Sequence, residues 1–315
     1  AYWSICPTLK QSLFKRNGRP GYSEMLVVHE DVKATVLRHP EFAAFRAQAL
    51  ASFDAWRRPT EAFLKKVSSK DHPKPIIRDI SETLLKQFSD LSLVDRYDLY
   101  QRLMDYWEET MQDDLYIVTV DGWRAGQELV RLQKETKNKG KTSKRTITGL
   151  AGLEGRLVPV RLAIRIYFSE EQSAIDALSA EGERLAAEME ALRDEEGGEE
   201  GLLVEVIDND KIKKADVQRR IKEIGRMKKA KEYAEELAAL KQYLALMERE
   251  AETKKSIKNA ERDLEQKLLA KYPTFSESEI KTLVVDKKWL ATIAERIALE
   301  IDHVSQALAG RVREL

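Results

Sequence analysis

The sequence has few of the residues that form disulfides, zinc sites, tight turns or membrane spans. One cysteine in 315 residues excludes an intrachain disulfide, and four histidines leave little material for a Cys/His zinc site. Glycine and proline number 14 and 8, which is low for a loop-rich all-β protein and suits long helices. No stretch approaches the roughly 18 to 20 apolar residues of a membrane span. A hydrophobic share of 43% nevertheless excludes wholesale disorder, and the length suggests about two domains.

Signals for targeting and for common enzyme classes are also missing. Residues 2–9 are too short for a signal peptide and no basic region precedes them, so we expect a cytoplasmic protein. Ala1 in place of Met suggests a piece of a longer protein. The sequence has no glycine-rich nucleotide loop, no nucleophile elbow, no HExxH motif and no Asn-Pro-Pro-aromatic loop. We therefore predict no catalytic, cofactor-binding or metal-ligating residue in this chain.

The residue pattern predicts a mainly α protein, in which a small α+β N-terminal part with a short β ribbon precedes long antiparallel coiled-coil-like helices. The first domain, residues 1–155, is expected to be mixed and mostly helical. The second, residues 156–315, is expected to hold a long helical hairpin, at about 160–196 and 230–272, and a C-terminal helix at about 287–315. Helices of this length reach roughly 50 to 60 Å at about 1.5 Å per residue.

Local signals in the first domain predict where its elements begin and end. A helical apolar pattern is expected to end at Pro59, and residues 22–28 suggest a short strand. Residues 115–120 are rich in β-branched side chains. We expect them to form the β ribbon with residues 128–132 or 146–150.

Apolar seams distinguish the long helices. The first helix has the 3.5-residue period of a coiled coil, with Gly182 at its one vacant position. The apolar residues of this seam are Ile175, Leu178, Leu185, Met189 and Leu192. The C-terminal helix carries a stripe with a mean period near 3.6, which needs a surface to lie against. This surface is either a partner protein or the chain's own core. The residues that we assign to partner contact are Leu290, Ile293, Ile297, Ile301, Val304 and Leu308.

Two segments are strongly basic. Residues 131–146 hold seven cations and one acid with almost no apolar side chain, so we interpret them as a solvated loop that contacts the DNA backbone. A second basic block, residues 211–231, either contacts phosphate or is neutralised by the acidic residues 181–200. Neither segment has interleaved aromatics, so base stacking is not indicated. The DNA-contact candidates are Arg131, Lys134, Lys137, Lys139, Lys141, Lys144 and Arg145.

One dense acidic cluster, within residues 105–114, has aromatic neighbours. It could serve a divalent metal or acid–base chemistry, or it could be the solvated face of an amphipathic helix, which is the interpretation we favour. Its acids are Asp105, Glu108, Glu109, Asp113 and Asp114.

Several segments resemble the C-terminal region of the modification (methyltransferase) subunit of type I restriction–modification systems. The longest is YDLYQRLMDYWEETMQDD at residues 97–114, and the next is EIKTLVVDKKWL at residues 279–290. Shorter ones are RPGYSE at 19–24, HPEF at 39–42, and LVP at 157–159 with a Tyr-Phe pair downstream. They occur in family order, and the resemblance extends over nearly the whole chain.

The resemblance implies a parent subunit that methylates adenine N6 with S-adenosylmethionine in a catalytic domain upstream of this region. It also implies assembly with a DNA-specificity subunit and a motor/nuclease subunit on double-stranded DNA. We expect this chain to be the non-catalytic part that docks helices onto the specificity subunit and helps to clamp DNA. The alternatives are a stand-alone coiled-coil scaffold with no DNA role, and an enzyme with a site built around residues 105–114.

Overall fold

The computed structural model describes residues 6–19, 22–91, 93–138, 141–198, 201–208, 211–227 and 230–313. The chain is mostly helical with short antiparallel strand pairs, which confirms the prediction of a mainly α protein. None of the described helices combines the length and the apolar content of a membrane-spanning segment.

The α-helices are α1 (Pro7–Leu13), α2 (Val32–Arg38), α3 (Pro40–Leu64), α4 (Pro73–Gln87), α5 (Arg96–Tyr106), α6 (Gln112–Asp121), α7 (Val160–Tyr167), α8 (Ser169–Glu196), α9 (Lys214–Arg226), α10 (Ala234–Lys271), α11 (Glu277–Lys281) and α12 (Leu290–Arg313). Two π-helical segments, Trp107–Met111 and Thr282–Trp289, follow α5 and α11. The strands are β1 (Phe14–Arg16), β2 (Ser23–Met25), β3 (Leu129–Arg131), β4 (Gln133–Asn138), β5 (Lys141–Thr146), β6 (Leu153–Gly155), β7 (Ile207–Asp208) and β8 (Lys211–Ile212). They pair as β1–β2, β3–β6, β4–β5 and β7–β8.

The chain forms two units. Unit 1 comprises residues 1–129, 155–162 and 272–315, and unit 2 comprises residues 130–154 and 163–271. The C-terminal helix α12 therefore lies in the same unit as the N-terminal helices, whereas the sequence pattern groups it with the long helical hairpin. Its apolar stripe accounts for this difference, because α12 packs on α2, α3 and α5.

Helix α3 continues through Pro59 to Leu64, so the predicted end at Pro59 is wrong. Proline removes one intrahelical hydrogen bond. The helix persists because Thr60 and Leu64 remain on its buried face, and the Thr60 hydroxyl donates to the Trp56 carbonyl at 2.8 Å. The predicted short strand at residues 22–28 is confirmed as β2.

Residues 115–120 are helical, so the predicted β ribbon at this place is wrong. Leu115 and Val118, three residues apart, are fully buried, whereas Val120 is 73% exposed. This is the burial pattern of a helix, and it outweighs the β propensity of the branched side chains. The ribbon lies further along the chain instead, as β4–β5.

The predicted docking stripe lies in the core of unit 1. Leu290, Ile293, Ile297 and Ile301 are at most 1% exposed and Val304 is 9% exposed. The side chain of Leu308 lies outside the described part of the structure. The stripe therefore packs in the chain's own core, which is one of the two surfaces considered for it. These five side chains are not available to a partner.

Unit 2 is organised by α8 and α10, which run antiparallel. Lys267 near the end of α10 pairs with Glu171 near the start of α8 at 2.6 Å. Arg249, earlier on α10, pairs with Glu181, later on α8, at 2.7 Å. Ile175 and Leu185 of the predicted seam are buried between them.

A second core of unit 2 lies where α9 packs on the N-terminal half of α10. The predicted helix at residues 216–224 is confirmed there as α9. The core residues are Leu203, Val206, Val217, Ile224, Ala239, Leu240 and Tyr243. Tyr243 is buried in this core and Leu244 is only partly buried, because α10 packs on α9 as well as on α8.

Candidate nucleic-acid interface

Residues 133–138 and 141–146 of the basic segment form an antiparallel pair of strands, which we call the hairpin, rather than the predicted loop. Strands β4 and β5 pair in register from Gln133 opposite Thr146 to Asn138 opposite Lys141. The base of the hairpin is fixed by two backbone hydrogen bonds, from Ile147 to Leu132 and from Leu132 to Gly152, both at 2.9 Å. The hairpin escapes detection from sequence because both of its faces are polar, so no apolar alternation marks the strands.

The register places two cations directly opposite each other. Lys134 on β4 faces Arg145 on β5, and both side chains are exposed. Like charges in this position destabilise a strand pair. Within the described residues, neither side chain has a hydrogen bond or an ion pair. The two opposed charges are therefore not compensated by any described residue.

The other candidates divide into paired, partly paired and undescribed residues. Arg131 donates to the Gly149 carbonyl at 3.2 Å and forms an ion pair with Glu265, so it anchors the hairpin to α10. Lys144 lies 3.6 Å from Glu135 across the hairpin, and both side chains are more than half exposed. Lys137 and Lys141 lie on the strands, but their side chains are outside the described part, and Lys139 lies outside it altogether.

The second basic block is neutralised mostly by acids close to it. Lys213 pairs with Asp208 at 2.8 Å, and Lys214 pairs with Glu248 at 2.9 Å. Arg220 pairs with Glu236 at 2.6 Å. The acids of residues 181–200 instead pair mainly with Arg184, Arg193 and Arg249. No described ion pair therefore joins the basic block to the acidic residues 181–200.

Three cations of this block, Lys211, Lys222 and Arg226, have no acceptor among the described residues. Lys222 and Arg226 are four residues apart on α9, and both are exposed. Of the other lysines, Lys228 and Lys229 lie outside the described residues, as does the side chain of Lys231.

The acidic cluster at residues 105–114 is tied into unit 1. Asp114 is 5% exposed and accepts from the Trp289 indole at 2.7 Å, while its carboxylate lies 2.6 Å from the Lys288 ammonium. Burial raises the pKa of Asp114 despite these partners. Glu109 pairs with Arg296, which holds the pKa of that carboxyl below its usual range. Among the described residues, no group of three His, Cys, Asp or Glu could hold a metal ion.

Three of the resembling segments meet at Lys288. Its ammonium bonds Asp114 of residues 97–114, and it also donates to the Leu157 carbonyl at 3.0 Å. Lys288 itself belongs to residues 279–290 and lies in the second π-helical segment. These three segments are therefore packed together in unit 1.

Comparisons with protein families, with curated proteins and with solved structures gave no match to this chain. The resemblance to the modification subunit stays a prediction.

Proposed function

We propose that this chain is the non-catalytic C-terminal part of the methyltransferase subunit of a type I restriction–modification system, and that its hairpin β4–β5 helps to hold duplex DNA. The parent subunit would methylate adenine N6 with S-adenosylmethionine in an upstream domain. This chain would then carry neither catalytic residues nor the cofactor site, and we expect it not to bind S-adenosylmethionine by itself.

The exposed Lys134–Arg145 pair is the observation that carries the DNA role. Each cation that contacts a phosphate releases a condensed counterion, so binding weakens steeply as salt rises. A polyanion also removes the repulsion between the two opposed charges. Because the hairpin has no aromatic residue, it would grip the backbone without reading the sequence. The DNA target would belong to the specificity subunit.

Assembly with the specificity subunit and with the motor/nuclease subunit is part of the proposal. The buried stripe on α12 is not available, so we assign the contact to the antiparallel pair α8–α10. Leu178, Leu237 and Ile257 on these helices are only half-buried. Coiled-coil packing with helices of the specificity subunit would cover them, as in a helical bundle.

The test of the DNA role is salt-dependent binding to a duplex of arbitrary sequence, measured by fluorescence anisotropy. Lys134→Gln/Arg145→Gln should lower the slope of log K against log salt by about 2, at about 0.9 per phosphate contact. The matched control is Lys254→Gln/Lys255→Gln, which removes two exposed lysines of unit 2 that pair with Glu250 and Glu252. Equal behaviour of the two double variants would reject the hairpin as the contact.

A stand-alone scaffold is the second candidate, and the 38-residue helix α10 favours it. A scaffold needs long helices that present apolar surface, and it needs no polyanion. Duplex binding that is absent at low salt, together with self-association in analytical ultracentrifugation, would support the scaffold over the methyltransferase subunit.

A further inference from the structure

Among the described residues of unit 2, two exposed cationic surfaces are each attached to helix α10. The first surface is the hairpin, with Lys134 and Arg145. The second is the outer side of α9, with Lys222 and Arg226. Within the described part of the chain, none of these four side chains has an acidic partner, whereas Lys213, Lys214 and Arg220 of the same basic block each have one.

The cations on α9 face away from the protein. Val217 and Ile224 of this helix are fully buried. At 3.6 residues per turn, Lys222 and Arg226 lie on the opposite side from this buried pair. They are also one turn apart, where like charges repel. A ligand with closely spaced negative charges would relieve that repulsion.

Each surface is attached to α10 by an ion pair at a known position. Arg131, two residues before the hairpin, pairs with Glu265. Arg220 on α9 pairs with Glu236 at 2.6 Å. The two glutamates are 29 residues apart on one unbroken helix. At 1.5 Å per residue the separation is about 44 Å, and 29 residues make close to eight full turns, so both attachments lie on the same side of α10.

We infer that the hairpin and the outer side of α9 bind the phosphate backbone of one DNA duplex together. This inference rests on the proposed function. The attachment points on α10 are about 44 Å apart, which corresponds to roughly 13 base pairs at about 3.4 Å per pair. A shorter duplex can reach only one surface. A longer duplex engages both, and the second contact then forms as an intramolecular step with a high effective concentration.

The experiment compares a 9-base-pair and a 20-base-pair duplex, each closed by the same loop, by fluorescence anisotropy at low salt. The unmodified chain should bind the longer duplex at least about tenfold more tightly, after correction for the number of registers. Lys222→Gln/Arg226→Gln should remove most of this gain and lower the salt slope on the longer duplex by about 2, while leaving binding to the shorter duplex nearly unchanged.

Lys213→Gln/Lys214→Gln is the matched control, because it removes the same charge from the same block but from paired lysines. Far-UV circular dichroism checks that α9 stays folded in both variants. Equal loss in the two double variants, or no gain with duplex length in the unmodified chain, would overturn the inference. Failure of the proposed function gives a different result, since the hairpin variant and the unmodified chain would then bind no duplex in a salt-dependent manner.

Discussion

Replacement of Ile297 on α12 tests whether the C-terminal stripe is core. This side chain is fully buried in unit 1, where α12 packs on α2, α3 and α5. Ile297→Ala should cost about 2–5 kcal/mol of unfolding free energy, because it removes buried methyl groups and leaves a cavity. Ile297→Asp should cost more, since it buries a carboxylate with no partner. A control lies two residues away at Leu299, which is 70% exposed, so Leu299→Asp should change stability by no more than about 0.5 kcal/mol.

Tryptophan fluorescence reports this unit selectively. Trp56, Trp107, Trp123 and Trp289 are buried in unit 1, and unit 2 contains no tryptophan in its sequence. For a loss of about 3 kcal/mol, the urea midpoint seen by fluorescence should fall by about 1–3 M at a typical m-value. An Ile297→Asp chain that keeps the midpoint of the unmodified protein would refute the assignment of this stripe to the core.

Three further predictions concern single sites. Gly182→Ala should stabilise unit 2 by about 0.5–1 kcal/mol, measured by urea unfolding followed by far-UV circular dichroism. A Cβ at this position lies 3.7 Å from Thr253, an ordinary van der Waals contact, and alanine is the better helix former. A destabilised variant would contradict the packing of α8 on α10. Lys288→Met should lower the free energy of unfolding by about 3–5 kcal/mol at pH 7, because it leaves the Asp114 carboxylate buried without its cation. The loss should be smaller at pH 4, where the raised pKa of Asp114 favours the neutral carboxyl. An equal loss at both pH values would refute this. A hydrogen bond from Lys65 lowers the pKa of Glu61, so the stabilisation by Glu61 is present above pH 4.5 and is lost as the pH falls through the lower folded pKa. Glu61→Gln should therefore weaken the fall, at acid pH, of the urea midpoint measured by fluorescence. An unchanged pH dependence of this midpoint would count against the pairing.

Helices with a strong apolar period could be predicted from the sequence, and features that depend on tertiary packing could not. Helix α8 is a good example, since Ile175 and Leu185 of its predicted seam are buried, although Leu178, Met189 and Leu192 are only partly buried. The stripe on α12 was equally clear, but periodicity shows only that a face is apolar, and not which surface covers it. Residues 115–120 show the opposite failure, because their β-branched side chains lie in a helix whose buried face decides the structure.

In the candidate site, too, the sequence predicts some features and not others. The sequence identifies the charge of residues 131–146 but not the hairpin, because its strands lack apolar alternation on either face. The opposition of Lys134 to Arg145 depends on strand register, which lysine and threonine side chains specify only weakly. Likewise, the sequence identifies the basic block at residues 211–231, and only the ion pairs separate Lys222 and Arg226 from the neutralised cations.

The discontinuity of unit 1 has a consequence for synthesis on the ribosome. When translation reaches residue 271, every residue of unit 2 has been made, whereas unit 1 still lacks α12 and the second π-helical segment. At about 5–20 residues per second, the remaining 44 residues of unit 1 take about 2–9 s to be synthesised. During that interval the early helices of unit 1 expose the apolar surfaces that α12 later covers, and a nascent chain arrested there would be a natural client for a chaperone that binds such surfaces.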